Sequence, residues 1–257
     1  MKRSLSVLTL LALFGTSGCL KKTTGDPSLL EPDAIFQDSS EIFSGTLSPQ
    51  GTQFKAFSLT FSASTAITLA SLTTSPTNVV SVPMTLMFGT PAADLLSCTA
   101  SNTQTVTPSL TTHYTQNLVT GTYCVAIADP GNLTGDTNFA IRIRQTLALP
   151  GFGTAGTETF STNLYPGSFT NRTFGVSANG EVKVALAGVS PQASVGLGLG
   201  VTNDALSDCY LNKVVVSTPG AAPQLTATAE VGAYCVKVFD PGGLADRVLF
   251  NVQITHP

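Results

Sequence analysis

The segment Gly121-Thr-Tyr-Cys-Val-Ala-Ile-Ala-Asp-Pro-Gly-Asn-Leu133 returns 111 positions later as Gly232-Ala-Tyr-Cys-Val-Lys-Val-Phe-Asp-Pro-Gly-Gly-Leu244. Such a repeat restricts the chain to one structural unit written twice. Tyr123, Val125 and Ile127 in one copy, and Tyr234, Val236 and Val238 in the other, sit at alternate positions. That is the period-two pattern of a half-buried strand. Asp-Pro-Gly then stops the strand: proline presets φ at the first corner of a turn, glycine accepts positive φ at the second, and the aspartate can hydrogen-bond the turn's own backbone. Cys124 and Cys235 fall on the face opposite the tyrosines.

The same offset relates Leu86 to Leu197, Phe139 to Phe250, Ile141 to Val252 and Ile143 to Ile254. Nearer the start, Glu41-Ile-Phe-Ser-Gly-Thr-Leu-Ser-Pro49 matches Glu158-Thr-Phe-Ser-Thr-Asn-Leu-Tyr-Pro166 at an offset of 117, which continues through Phe57/Phe174, Ile67/Val184 and Leu69/Leu186. The offset has fallen to 111 by Met84/Val195, so copy one carries six additional residues within 73–83. With both flanking registers intact, these residues are expected in a surface loop. The division that follows is copy one at 37–146, a linker at 147–152 and copy two at 153–257.

Charged residues make up only 11% of the chain and tryptophan is absent, while Ser, Thr, Gly and Pro are abundant. That composition suits short strands and many turns. Each copy holds seven or eight alternating segments parted by Gly, Pro, Ser or Thr. The expectation is an all-β chain of two tandem jelly-roll-like β-sandwich domains, each with one intradomain disulfide.

Residues 1–18 read as an export signal. Lys2 and Arg3 precede an apolar run, Leu5 to Phe14, that is too short to span a bilayer stably. Thr16-Ser17-Gly18-Cys19 resembles the bacterial lipobox, in which the cysteine is acylated and becomes the new N-terminus. The other reading is an ordinary signal peptide followed by an incidental cysteine. On the lipobox reading, Cys19 carries the lipid and the polar, proline-containing stretch 19–36 is a tether. Leu20 after the cysteine resembles the sorting pattern for the outer membrane. Losing Lys2 and Arg3 leaves ten basic side chains against 15 acidic ones. That balance excludes an electrostatic footprint for nucleic acid.

The other four cysteines form two pairs with the same 26-residue spacing, Cys98 with Cys124 and Cys209 with Cys235. Export places them in an oxidising compartment. Of the three possible connectivities, duplication selects the pairing within each copy, because each unit must once have closed its own. Free buried thiols and a metal site are the alternatives. Two sulfurs with no histidine or carboxylate beside them make a poor zinc site.

The opening strands at 57–59 and 174–176, the Ile67-Thr-Leu69 strand after a turn, and the late Gly-x-Tyr-x-Val strand complete this pattern. In that order they resemble the bacterial pre-peptidase C-terminal domain, a small β-sandwich appended to secreted enzymes. The resemblance covers both copies and implies a sandwich fold with an accessory role.

Candidate chemistry is sparse. The two histidines, His113 and His256, read as surface residues, since no nucleophile and orienting acid accompany them and no Gly-x-Ser-x-Gly elbow occurs. Asp129 and Asp240 read as turn residues. A calcium site there is the alternative, with Asp136 and Asp246 nearby, although calcium needs six to eight oxygens. Gly196, Gly198 and Gly200 alternate with apolar residues and mark a strand approached closely by another surface, not a phosphate loop. Arg142 and Arg144 alternate outward on a late strand and read as a solvated face. No catalytic or cofactor motif is apparent. The expected protein is a non-enzymatic lipoprotein of the bacterial outer membrane, anchored by its N-terminal lipid. It would present binding or adhesion modules to a glycan or to an envelope or extracellular protein. A structural or assembly role is the second reading. Tyr114, Tyr165 and Tyr210 are the aromatic candidates for glycan contact.

Overall fold

The computed structural model describes residues 38–93, 95–146, 155–202 and 208–257. The export signal, Cys19, the tether and the linker at 147–152 lie outside the described residues. Copy one contributes β1 (Asp38–Leu47), β2 (Thr52–Leu59), β3 (Ala63–Ser75), the short β4 (Asn78–Val79), β5 (Met84–Pro91), β6 (Cys98–Val106), β7 (Tyr114–Leu118), β8 (Gly121–Ala128) and β9 (Thr137–Thr146). Copy two contributes β10 (Gly156–Leu164), β11 (Phe169–Val176), β12 (Gly180–Ser190), β13 (Val195–Thr202), β14 (Cys209–Ser217), β15 (Leu225–Ala229), β16 (Gly232–Phe239) and β17 (Val248–His256).

Period-two patterning selects the buried face of each strand. On β17, Val248, Phe250, Val252 and Ile254 point inward while Leu249, Gln253 and Thr255 are exposed. Each copy is two antiparallel sheets with these inner faces together. In copy one the orders are β1-β9-β3, with β7 and β4 on the far edge of β3, and β2-β8-β5-β6. In copy two they are β10-β17-β12-β15 and β11-β16-β13-β14. The two copies therefore share one topology, the interleaved double sheet of a jelly roll. Disulfides Cys98–Cys124 and Cys209–Cys235 join β6 to β8 and β14 to β16, with Cα atoms 5.8 and 5.7 Å apart. Tyr123 and Tyr234 each send the hydroxyl back to a carbonyl four residues upstream, Val119 at 3.1 Å and Glu230 at 2.8 Å. The six additional residues of copy one are not a simple loop, because they carry β4 and extend β3 into a short hairpin.

The copies are not separate beads. Their strands belong to one compact unit, because the outer face of the β1-β9-β3 sheet is covered by copy two. β3 is consequently buried on both sides, with Leu69 in the core of copy one and Ala70 in the core cluster of copy two. Leu110 joins that second cluster and Ile42 packs against it. Ser71 Oγ donates to the Leu211 carbonyl at 2.6 Å, and Asn212 donates to the Ala70 carbonyl at 2.9 Å.

This packing corrects the reading of Arg142 and Arg144 as a solvated face. Both do point outward from their sheet, but Arg142 is only 3% exposed. Its Nη2 donates to Tyr234 Oη at 3.1 Å and to the Leu110 carbonyl at 3.3 Å, and its guanidinium lies 4.9 Å from the Tyr234 ring centre. Arg144 reaches the Val231 carbonyl and pairs with Glu230 at 3.6 Å. Glu230 in turn accepts from the Thr112 amide at 3.0 Å and from the Thr112 hydroxyl. Their counterparts Gln253 and Thr255 remain exposed, since nothing described covers the equivalent face of copy two. Replacing Arg142 by glutamine, the residue of copy two, is expected to cost about 1.5–3 kcal/mol, the range for a hydrogen bond to a charged group. Differential scanning calorimetry should then resolve two unfolding transitions where the native chain gives one. An unchanged single transition would show that Arg142 does not couple the copies.

Candidate functional site

The Asp-Pro-Gly aspartates are turn organisers. Asp129 Oδ1 accepts from the amides of Gly131 (3.0 Å), Asn132 (2.7 Å) and Leu133 (3.3 Å), while Oδ2 accepts from Gln50 (2.9 Å) and Leu133 (3.2 Å). Asp240 repeats this with Gly242, Gly243 and Leu244 on Oδ1 and Gly167 on Oδ2. Gly131 and Gly242 supply the positive φ, +105° and +98°. Burial raises the Asp129 carboxyl, but the surrounding amides outweigh it and hold the group below the usual range. For Asp240 the Gly167 amide is the largest influence, also downward. A calcium ion needs oxygen lone pairs converging on a centre, whereas these oxygens face N–H donors. Asp136 and Asp246 are exposed and take no part in these turns. Among the described residues no group of three or more His, Cys, Asp or Glu side chains could hold a metal.

Neither histidine is a simple surface residue. His113 Nδ1 accepts from the Leu69 amide at 3.1 Å and Nε2 bonds the Thr107 carbonyl at 3.0 Å, so the network fixes a neutral ring protonated on Nε2. The Leu69 amide needs this acceptor because it faces the β7 side of β3, where β7 pairs only as far as Ile67 and the Leu69 carbonyl already takes the Ser109 amide. In copy two Gln224 does the same, with Oε1 accepting from the Leu186 amide at 2.6 Å. His256 is 8% exposed, packs on the Phe174 ring and lies 3.4 Å from Glu158.

The glycines on β13 are occupied by close neighbours. A side chain at Gly196 would overlap the Phe239 ring, and one at Gly198 would overlap Leu211. Gly200, like Gly89 in copy one, sits at a bulge where a Cβ would strike a carbonyl oxygen of the next strand. Of the tyrosine candidates, Tyr114 is buried on β7, Tyr165 is exposed and Tyr210 is half-buried on β14. They do not form an aromatic cluster.

Tyr210 instead marks a cleft between the copies, with a volume of about 340 Å³. Copy one lines it with Ser44, Gly45 and Thr46 of β1, Ser71 and Thr73 of β3, Pro76, and Asn138 and Phe139 of β9. Copy two supplies Cys209, Tyr210 and Leu211 of β14, and Lys237 of β16. Ser44 Oγ and Tyr210 Oη meet across the junction at 3.3 Å. Thr46 donates to Asn138 Oδ1 at 2.8 Å, which leaves the asparagine NH₂ as a donor group. Lys237 is 8% exposed, and its Nζ lies 4.0 Å from the Phe169 ring centre. Burial pushes the ammonium pKa down, and Asp208 opposes that shift. The cleft thus presents hydroxyl, amide and ammonium groups beside apolar Leu211, Phe139 and Pro76. None of Ser44, Thr46, Asn138 and Lys237 stood out in the sequence. For Thr46, Asn138 and Lys237 the signal was a difference between copies, against Asn163, Leu249 and Ala126, whereas Ser44 aligns with another serine, Ser161.

No protein-family model matches the chain, and no curated protein sequence matches it. Among solved structures it is similar to a fucolectin from striped bass (Morone saxatilis) serum, at 10% identity and a TM-score of 0.24, over 83% of this chain and 85% of that one. It is similar at the same TM-score to a Paenibacillus xanthan lyase, at 9% identity over 86% of this chain and 25% of the lyase. The third likeness, again at 0.24, is to Sulfolobus turreted icosahedral virus, at 14% identity over 82% of this chain and 60% of that one. The chain spans a quarter of the lyase and three-fifths of the viral chain. Likeness at this level bears on neither the fold nor the function of this chain.

His113 provides a pH test of copy one. Burial is the largest influence on it and lowers its pKa, against the raising effects of Thr107 and Glu230. The neutral ring is therefore favoured by folding. Its stabilisation is complete above the unfolded pKa near 6.5 and is lost as pH falls through the lower folded value, by at most about 1.4 kcal/mol per pH unit. His113→Gln, which installs the side chain of copy two, should match the native chain at pH 8. Between pH 6.5 and 5 it should lose less stability in urea titrations than the native chain. Parallel pH profiles would remove His113 from this role.

Proposed function

We propose that the protein is a non-enzymatic binding protein of the bacterial cell envelope, anchored to the outer membrane through acylated Cys19. Its ligand, a glycan segment, occupies the cleft between the fused jelly rolls. The observation that carries this reading is the composition of that cleft. Both copies turn hydroxyl and amide groups (Ser44, Thr46, Thr73, Asn138, Tyr210) toward one concavity beside apolar walls. A sugar offers the complementary surface, with hydroxyls around its rim and C–H groups on its faces. The volume lies at the lower end of the roughly 300–1,000 Å³ typical of small-molecule sites.

A second reading, packing against another envelope protein, draws on Leu95 and Leu96. These neighbours are 67% and 76% exposed on the β5–β6 connection. Cross-linking in intact cells separates the two readings, since a glycan site predicts no loss of protein adducts when the cleft is altered.

The test is binding of the full chain to an array of envelope and extracellular glycans. Asn138→Ala is expected to weaken the captured ligand roughly tenfold, the loss of one or two hydrogen bonds. No binding to any glycan would reject the reading. For the anchor, Cys19→Ala is expected to move the protein from the membrane fraction to the soluble fraction. Proteinase K added to whole cells reports which side of the membrane the domains face.

A further inference from the structure

We infer that the cleft selects saccharides bearing a single negative charge, with Lys237 reading that charge; this rests on the cleft being the glycan site proposed above. Lys237 stands at the centre of β16, on the face away from the core of copy two, where it is 8% exposed and lines the cleft together with residues of copy one. Removing an ammonium from water costs several kcal/mol unless something compensates. Here the Phe169 ring at 4.0 Å supplies part of the compensation as a cation–π contact. Asp208, exposed at the start of β14, supplies another part from the solvent side.

The fold does not require a cation at this position. The equivalent residue in copy one is Ala126, which is 2% exposed on a sheet of identical strand order. The lysine therefore belongs to the copy whose outer face borders the cleft. The whole-chain field does not explain it either, since the net charge is −3 and gives no general attraction for anions. The selectivity is local.

The geometry also bounds the charge. One ammonium is a compact point charge, without the two-pronged fork or second cation that suits a phosphate dianion. The surrounding groups, Asn138, Thr73 and the Ser44–Tyr210 pair, match sugar hydroxyls. A uronic acid residue and a sulfated sugar share the required chemistry.

Calorimetric titration of the full chain with oligosaccharides of matched length tests this: neutral hexose, hexuronate and sulfated hexose. At least one acidic series should bind about tenfold or more tighter than the neutral one, the range for a hydrogen bond to a charged group. Which acidic series is preferred identifies the source of the charge. Lys237→Met keeps the stem over Phe169 and should abolish the preference for the acidic series. Lys237→Arg should retain most of it, and Asn138→Ala should weaken all series alike. Equal binding of acidic and neutral series, or a preference that survives Lys237→Met, overturns the inference while leaving the cleft as a glycan site. Failure of every oligosaccharide to bind overturns both.

Discussion

The outer face of the β1-β9-β3 sheet is the constraint on which the rest of the molecule depends. Pleating sends alternate side chains to opposite faces, so Ala66, Thr68, Ala70, Arg142 and Arg144 cannot reach the core of their own sandwich. In an isolated jelly roll that face would meet water. Here copy two covers it, and the polar groups on it need partners at that contact. Arg142 finds Tyr234 and the Leu110 carbonyl, Arg144 finds Glu230, and Ser71 finds the Leu211 carbonyl. The cleft is the margin of this contact, where the surfaces diverge and hydroxyls from both sides are left facing each other.

Duplication makes the asymmetry interpretable, because each position has an internal control. Where both copies keep the same chemistry, the role is architectural. The Asp129 and Asp240 turns, the Tyr123 and Tyr234 hydroxyl contacts, the Gly89 and Gly200 bulges and the paired disulfides all fall in this class. His113 and Gln224 show that the role can survive a change of residue, since both present an acceptor to a strand amide that lies beyond the end of the neighbouring edge strand. Where the copies differ, the difference tracks the contact between them. Arg142 replaces an exposed glutamine and Lys237 replaces a small apolar residue. The six-residue addition in copy one brings Pro76 to the rim of the cleft.

Much of the fold was legible because its determinants are local and periodic. Alternation at Tyr234, Val236 and Val238 identifies a strand and its buried face, and Asp-Pro-Gly identifies where it ends. Equal cysteine spacing identifies two closed loops, and two offsets locate an insertion. The expectations that the structure overturns share one cause. The strand positions of Arg142 and Arg144 point away from the core of their own domain, and no chemistry beside His256 is visible in the sequence, so sequence patterning makes all three solvated. The hydroxyls of the cleft were invisible for a related reason: serine and threonine are abundant throughout the chain, so no local pattern singles out Ser44, Thr46 or Thr73.

The sequence alone determined the class, the repeat and, through duplication, the pairing of the cysteines, whereas the order of strands in each sheet came from the structure. The first three follow from hydrophobic period, turn stereochemistry and chain duplication, which act over a few residues or between identical units. Only the tertiary structure decided which outer face would be covered, that copy one would contribute Ala70 and Leu110 to the core cluster of copy two, and that a lysine on an outward-facing position would be buried beside a polar cleft. Those outcomes depend on shape and charge complementarity between surfaces more than 100 residues apart in the chain, such as Ser71 and Leu211 at a separation of 140. No periodicity records which of two chemically similar faces meets a partner and which meets water.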